Sequence, residues 1–415
     1  MLHNMKVIVS NPGLGSHVRQ TVRAYDEGHV LDTFYTTILL PTNYVNKKLF
    51  DKYKGLRSRQ FKELGHHKVS SLFLPELCRL VSSKFFSNTT TDKIWEWSEH
   101  FFDNWVAQKI SKEISVFHGY EHASLACLKK CKSRKIFSVY EQPSAHHQFF
   151  TERIVLPLLE KEHSFRLNFK ELFDSDLSKK RNRRRDEELK LADLIICNST
   201  YVKNTLLYAG ISEDKIQVLP LGFSEVINRE VSAKSKLRFL VSGNLSYLKG
   251  VHHILRLWKK YPGLFSQHEL LCIGTDTLDP IEWEGLPKNV QKMNRMNSVD
   301  YLQELSKADV YLLNSYSDGF GMVMSEAMAN GLAVIGTENS AAPDIIQHDI
   351  TGKIIPVANE EALLEAMTWM ISHPEDLVKM RIAAMEYAKE HSWDTYRLQV
   401  PLLVKEQFNL FKANG

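Results

Sequence analysis

Short, nearly unbroken apolar runs recur along this chain, each followed by a polar or glycine-containing break and then a stretch with helical spacing. Lys6–Ser10, Val116–His118, Ile136–Tyr140, Leu194–Ser199 and Gln217–Gly222 read as strands of a first half. Arg238–Gly243, Leu270–Gly274, Val290–Met293, Tyr311–Leu313 and Val334–Ile335 read as strands of a second. Helical stretches alternate with them, so the expected class is α/β with parallel sheets. Residues from about Pro41 to Asp103 are aromatic-rich and helical in pattern, but the order of their elements is not legible.

A chain of 415 residues exceeds one ordinary core and implies two domains. The break falls after Gly222, giving a first domain over 1–222 and a second over 223–395. Hydrophobic and charged fractions of 43% and 25% are those of a soluble globular protein, and a formal net charge of +4 makes no case for nucleic acid. The five cysteines are scattered, without the spacing of a metal site, and read as free thiols in a reducing compartment. The opening apolar run Val7–Val9 is too short for a signal peptide, and no segment approaches about 18 uninterrupted apolar residues. A cytoplasmic protein is the expectation, with peripheral attachment to the inner face of a membrane left open. Lys179–Arg185, followed by Asp186-Glu187-Glu188, bears on that point. It reads either as a solvated helix face with pairs Arg183–Glu187 and Arg184–Glu188, or as a contact with an anionic membrane. No interleaved aromatics support nucleic acid as a partner.

The stretch Ser317-Asp318-Gly319-Phe320-Gly321-Met322, continuing through Glu326 to Gly331, carries the most information. Asp318 and Glu326 have seven residues between them, Asp318 in a glycine turn and Glu326 about one turn into a helix. The strand Val310–Asn314 precedes them and Ala333–Ile335 follows, which is a βαβ unit whose loop opens at the carboxyl end of a parallel sheet. Helical side chains lean toward the N-terminus, so Glu326 can face the same crevice as Asp318. Paired carboxylates repel phosphate but accept hydrogen bonds from vicinal hydroxyls, as on a ribose or a hexose. The competing reading is an acidic first turn that complements a helix dipole.

This segment resembles the E-x7-E region of the retaining GT-B glycosyltransferases of family 4 (glycosyl transferases group 1). Ala342-Pro343-Asp344-Ile345 through Pro356 is similar to that family's G-G-x-P-E block, and Val241-Ser242-Gly243-Asn244-Leu245 through Lys249-Gly250 to its G-R-L-x-x-x-K-G. The resemblance covers most of the second half, and the first half matches only in outline. It implies a GT-B fold of two Rossmann-like domains facing each other across a deep cleft, with a terminal helix, here about 396–415, crossing back onto the first domain. It also implies transfer of a sugar from a nucleotide diphosphate-sugar to an acceptor (a sugar, a lipid-linked group or another hydroxyl) with retention of anomeric configuration. Glu326 would hold the ribose, Asp318 with Gly319, Phe320, Gly321 and Met322 the transferred sugar, and Lys249 the phosphates, beside Gly243 and Asn244. Asn244 stands where the family has an arginine, so another basic residue must serve the phosphates.

In the first domain Gly13-Leu14-Gly15 follows the first strand and lacks the third glycine of a dinucleotide fingerprint. Gly15 would let this loop approach the donor diphosphate, and Gly13 the acceptor. Family members often carry a histidine at a strand end near the reacting centre, which makes His118 a candidate catalytic residue with Asp318 and Lys249. Glu141 and His146 are candidates for the acceptor side. Neither a metal nor a cofactor is expected. Two alternatives stand beside this reading: a GT-B epimerase or phosphorylase, and a non-catalytic sugar-nucleotide-binding subunit that regulates a partner enzyme.

Overall fold

The apolar runs form two parallel sheets. The first contains β1 (Val7–Ser10), β2 (Leu31–Thr36), β3 (Val69–Ser71), β4 (Val116–Tyr120), β5 (Phe137–Gln142), β6 (Leu194–Cys197) and β7 (Ile216–Val218), in the order β3-β2-β1-β4-β5-β6-β7. The second contains β8 (Arg238–Leu245), β9 (Glu269–Asp276), β10 (Val290–Met293), β11 (Val310–Leu313), β12 (Ala333–Thr337) and β13 (Gly352–Ile355), in the order β10-β9-β8-β11-β12-β13. The computed structural model describes residues 5–39, 60–61, 63–64, 68–165, 172–227 and 229–414. Strands β4, β5, β11 and β12 are buried along their whole length, because helices cover both faces of each sheet. In both sheets the strand order reverses at the centre, between β1 and β4 and between β8 and β11. A crevice opens there, outside the carboxyl ends of the strands.

Several elements differ from the sequence expectation. β2, β3 and β13 were not foreseen: β2 mixes Asp32 and Thr33 with apolar residues, and β3 is only three residues long. β8 runs two residues beyond the expected end at Gly243, to Leu245, so Asn244 is a strand residue paired with Thr275. Within the aromatic-rich region the helices Phe73–Phe85 and Asn88–Lys109 pack as a hairpin, while residues 40–59, 62 and 65–67 lie outside the described residues. Helix starts carry the side chains that satisfy free backbone N–H groups: Ser199 accepts from Val202 N, and Asn297 from Val299 N and Asp300 N.

The chain passes between lobes twice, and the two passages are hydrogen-bonded to each other. Phe223 N donates to His391 O at 2.9 Å, and Trp393 N donates to Phe223 O at 3.2 Å. A Cβ on Gly222 would lie 2.6 Å from Trp393 Cα, so only glycine permits this approach. The last helix, Trp393–Asn414, lies against the first lobe. Its Arg397 reaches Glu27 at 2.7 Å and Gln20 at 2.8 Å, and Phe408 and Phe411 pack on Phe137.

Candidate functional site

Two loops of the second lobe meet at the β8–β11 reversal. The loop after β8 ends in Lys249-Gly250, with Gly250 at φ +63°. A Cβ there would sit 1.9 Å from Asn314 O, so the residue must be glycine for the loop to rest on the end of β11. Asn314 Nδ2 donates to Gly250 O at 3.0 Å and fixes the contact. This seating carries the Lys249 ammonium to 2.5 Å from the Asp318 carboxylate. Both residues line a cavity of about 440 Å³ whose opposite wall, from the first lobe, includes Ser144, His147, Arg181 and Arg185.

Asp318 also borders a smaller cavity of about 210 Å³ between the lobes, together with His17, Glu141, Met322 and Tyr396. Gly321, at φ +75°, opens the helix Met322–Ala329. Phe320 is buried in the core and borders this same cavity. Gly319 serves the meeting of the lobes: a Cβ on it would lie 1.9 Å from Pro143 O. Its carbonyl accepts from Ser199 Oγ at 2.5 Å, so the glycine freedom assigned to ligand approach is here used by the other lobe. Two further contacts join the lobes. Tyr201 and Ser317 share a hydrogen bond of 2.6 Å, and Asp344 accepts from Thr200 N at 2.9 Å and from Thr200 Oγ1, capping a first-lobe helix.

Glu326 is half-buried one turn into the helix, and no donor among the described residues reaches its carboxylate. Burial alone raises its pKa. Its charge acts on Tyr301 and Tyr311, whose hydroxyls meet Ser242 Oγ at 2.9 and 3.0 Å. Burial pushes the Tyr301 phenol up to about 12, the Ser242 hydrogen bond opposes that shift and the Glu326 charge adds to it. Tyr301 and Val323 form one wall of a cavity of about 510 Å³ at this edge, whose floor is Ser242, Gly243, Asn244 and Gly274 at the ends of β8 and β9. Gly243, at φ +108°, has no atom near where a Cβ would be, so its backbone faces open space. A Cβ on Gly274 would meet Gly243 O at 1.7 Å, so this floor rests on a close backbone approach.

The first-lobe candidates divide. Gly15 precedes the helix Ser16–Glu27, and Ser16 Oγ donates to Met322 Sδ at 3.7 Å, which puts this loop against the second lobe. Gly13 is engaged locally, its N–H donating to Asn11 Oδ1 at 2.6 Å. His118, expected at the reacting centre, is fully buried with both ring nitrogens committed. Nε2 lies 2.8 Å from Glu141 Oε1 and Nδ1 lies 2.8 Å from Tyr25 OH. It is linked to the cleft through Glu141, which lines the cavity while His118 stays behind it. Burial alone would push the Glu141 carboxyl up. The His118 hydrogen bond and charge, with His17, outweigh that effect and hold it below the ordinary range. His146 is also buried and does not line the cleft. Its Nδ1 accepts from Gln148 N at 3.2 Å, so Nε2 is the donor to Asp186 at 3.2 Å. Neighbouring His147 reaches Asp186 at 2.7 Å and does line the cavity.

The basic run is largely internal in its pairing. Arg181 meets Asp92 at 2.9 Å, Arg184 meets Asp103 at 2.5 Å and Glu188 at 3.4 Å, and Arg185 meets Glu121 at 3.4 Å. The expected Arg183–Glu187 pair is replaced by Lys129–Glu187 at 3.1 Å. Sequence reading missed His17, Arg181, Arg185 and Tyr396 as cleft residues. Only a long-range fold brings them there, and no local pattern signals it. Among the described residues no helix is long and apolar enough to cross a membrane.

Two doubly wound lobes closed on a cleft define the GT-B class of fold, and solved structures of that class align along nearly the whole chain. One is Anabaena Alr3699/HepE in complex with UDP, at 16% identity, TM-score 0.60, covering 97% of this chain and 100% of that one. Another is the sucrose-phosphate synthase of Thermosynechococcus elongatus, at 15% identity, TM-score 0.60, with coverage of 98% and 100%. Residues 223–391 match the family Glycosyl transferases group 1. Among curated relatives, the amylovoran biosynthesis glycosyltransferase AmsK of Erwinia amylovora is 26% identical over 209 residues, 46% of this chain and 51% of that protein. The chain spans about half the length of the curated relatives it matches first.

Proposed function

We propose that this protein is a glycosyltransferase that moves a sugar from a nucleotide diphosphate-sugar to the hydroxyl of an acceptor, with retention of anomeric configuration. The observation that carries this reading is the Lys249–Asp318 pair in the interlobe cleft, with the unpartnered carboxylate of Glu326 a short way along the same loop–helix unit. Glu326 accepts hydrogen bonds from the ribose hydroxyls. Lys249 stabilises the diphosphate as it departs, and Asp318 accepts from hydroxyls of the transferred sugar. The match of residues 223–391 to Glycosyl transferases group 1 supports the same assignment.

The acceptor enters from the first lobe, past His17 and the Glu141 carboxylate that His118 and Thr21 hold in place. In front-face transfer the bond from the anomeric carbon to the diphosphate oxygen breaks and the bond to the acceptor oxygen forms on the same face. The acceptor proton passes to the departing phosphate. Orientation and stabilisation of the leaving charge then carry most of the rate. In this reading the cation at the diphosphate is Lys249, not a metal ion. Contacts such as Ser199 to Gly319 O close the lobes and keep water from the donor.

Peripheral attachment to an anionic membrane belongs to the proposal. Lys180 and Arg183 are exposed and make no ion pair among the described residues, and Phe73, Phe85 and Phe86 of the neighbouring hairpin are exposed as well. Incubation with labelled nucleotide sugars and candidate acceptors tests the activity. Release of nucleoside diphosphate in step with a glycoside of unchanged anomeric configuration is expected. An epimerised nucleotide sugar, a sugar phosphate, or binding without turnover would replace this reading by one of the other enzyme classes or by a regulatory subunit.

A further inference from the structure

The large cavity at the ends of β8, β9 and β10 contains a cation that the motif-based reading does not use. Arg295, in the segment after β10, lines the wall beside Met296. Among the described residues it makes no hydrogen bond, ion pair or ring contact. Lys292, on β10 itself, is by contrast committed: it holds Asp276 at 2.8 Å and lies 4.2 Å over the Trp283 ring. Among the described residues Arg295 therefore has no structural task, and its donors are free for a ligand.

Its place in the sheet indicates which part of a ligand it meets. Lys249 follows β8 and Arg295 follows β10, with β9 between them. At about 4.8 Å per strand, the two cations spring from strands on the order of 10 Å apart. Too wide for one diphosphate, that separation matches the span from the phosphates of a nucleotide to its base. The donor reading already puts the diphosphate at Lys249 and the ribose at Glu326, so the base extends toward Arg295. Asn244, in place of the family arginine, adds no cation to this cavity.

We propose that Arg295 is a specificity-determining residue that reads the donor's base; the assignment rests on the donor site described above. A guanidinium only donates hydrogen bonds. Uracil and guanine present an exocyclic oxygen where cytosine and adenine present an amino group, itself a donor. Arg295 therefore selects UDP over CDP, or GDP over ADP, by donating to the keto oxygen that only one of each pair presents.

Calorimetric titration with UDP, CDP, GDP and ADP tests this on the wild type, Arg295→Ala and Arg295→Lys. The side chain is exposed, so neither substitution threatens the fold. The wild type is expected to prefer one keto nucleotide over its amino counterpart by about tenfold, the worth of one well-made polar contact. Arg295→Ala should weaken the preferred nucleotide by about that factor and leave the amino counterpart nearly unchanged, so the ratio collapses. Equal weakening of all four would assign Arg295 to the phosphates, and no change would remove it from the site. Either result overturns the proposal while leaving the donor site standing. A wild type that binds none of the four would instead overturn the donor reading on which it rests.

Discussion

Lys249 and Asp318 meet at 2.5 Å although 68 residues of chain lie between them, because a glycine with no room for a Cβ seats one loop on the other. The pair gives each partner a distinct expected role. Asp318→Ala should cut sugar transfer by about a hundredfold or more and change nucleoside diphosphate affinity little, since a contact made to the reacting sugar acts mainly on the transition state. Lys249→Ala should weaken the nucleotide and transfer together. Steady-state kinetics beside calorimetry separates the two, and equal losses in Asp318→Ala would reassign that carboxylate to the nucleotide.

Glu326 should make nucleotide affinity pH-dependent. Burial raises its pKa above the ordinary value of about 4.3. Ribose hydroxyls donate to the ionised form, so binding favours loss of the proton. Affinity should therefore rise with pH through the interval from the ordinary value to the raised one, and level off above it. Glu326→Ala should lose about tenfold or more at neutral pH and show a flatter profile. Titrations at several pH values check the slope, and a profile unchanged by the substitution would remove Glu326 from the ribose.

Gly250→Ala tests whether loop seating places Lys249. A left-handed residue other than glycine costs about 1–2 kcal/mol, and here a backbone oxygen at 1.9 Å adds to it. Gly210→Ala is the comparison, since Gly210 is left-handed at φ +80° with nothing near its missing Cβ. Gly250→Ala should lower thermal stability more than Gly210→Ala and alone reduce nucleotide affinity. Similar melting shifts with unchanged affinity in both would detach Lys249 from the Gly250 contact.

Glu141 carries a pKa shift of the opposite sign. Its folded pKa lies below the ordinary range because His118 and His17 outweigh burial. Its stabilising contribution is present above the ordinary pKa of about 4.3 and is lost as pH falls through the lower folded value. Glu141→Gln should cost about 1–3 kcal/mol at neutral pH, with the gap to wild type closing in acid. Thermal melts across that range measure the gap, and one that widened in acid would contradict the assignment.

The second lobe was legible in the sequence because its site is local. Lys249-Gly250 and Asp318 to Glu326 lie on single βα units, and strand spacing fixes where those loops open. The first lobe was not. His118, expected at a strand end, is the middle residue of β4, and side-chain partners from a helix and the next strand, Tyr25 and Glu141, hold it in the core. Arg181 and Arg185 looked like surface charge, yet the docking of their helix brings them to the cleft. β2 escaped notice because Asp32 and Thr33 break its apolar residues without a strict alternation, and β3 because three residues carry no period.

The most direct test is a structure of the protein with UDP bound. The account predicts ribose hydroxyls on the Glu326 carboxylate and the diphosphate within about 3 Å of the Lys249 ammonium. UDP lying away from both residues, or on the outer face of either sheet, would contradict it.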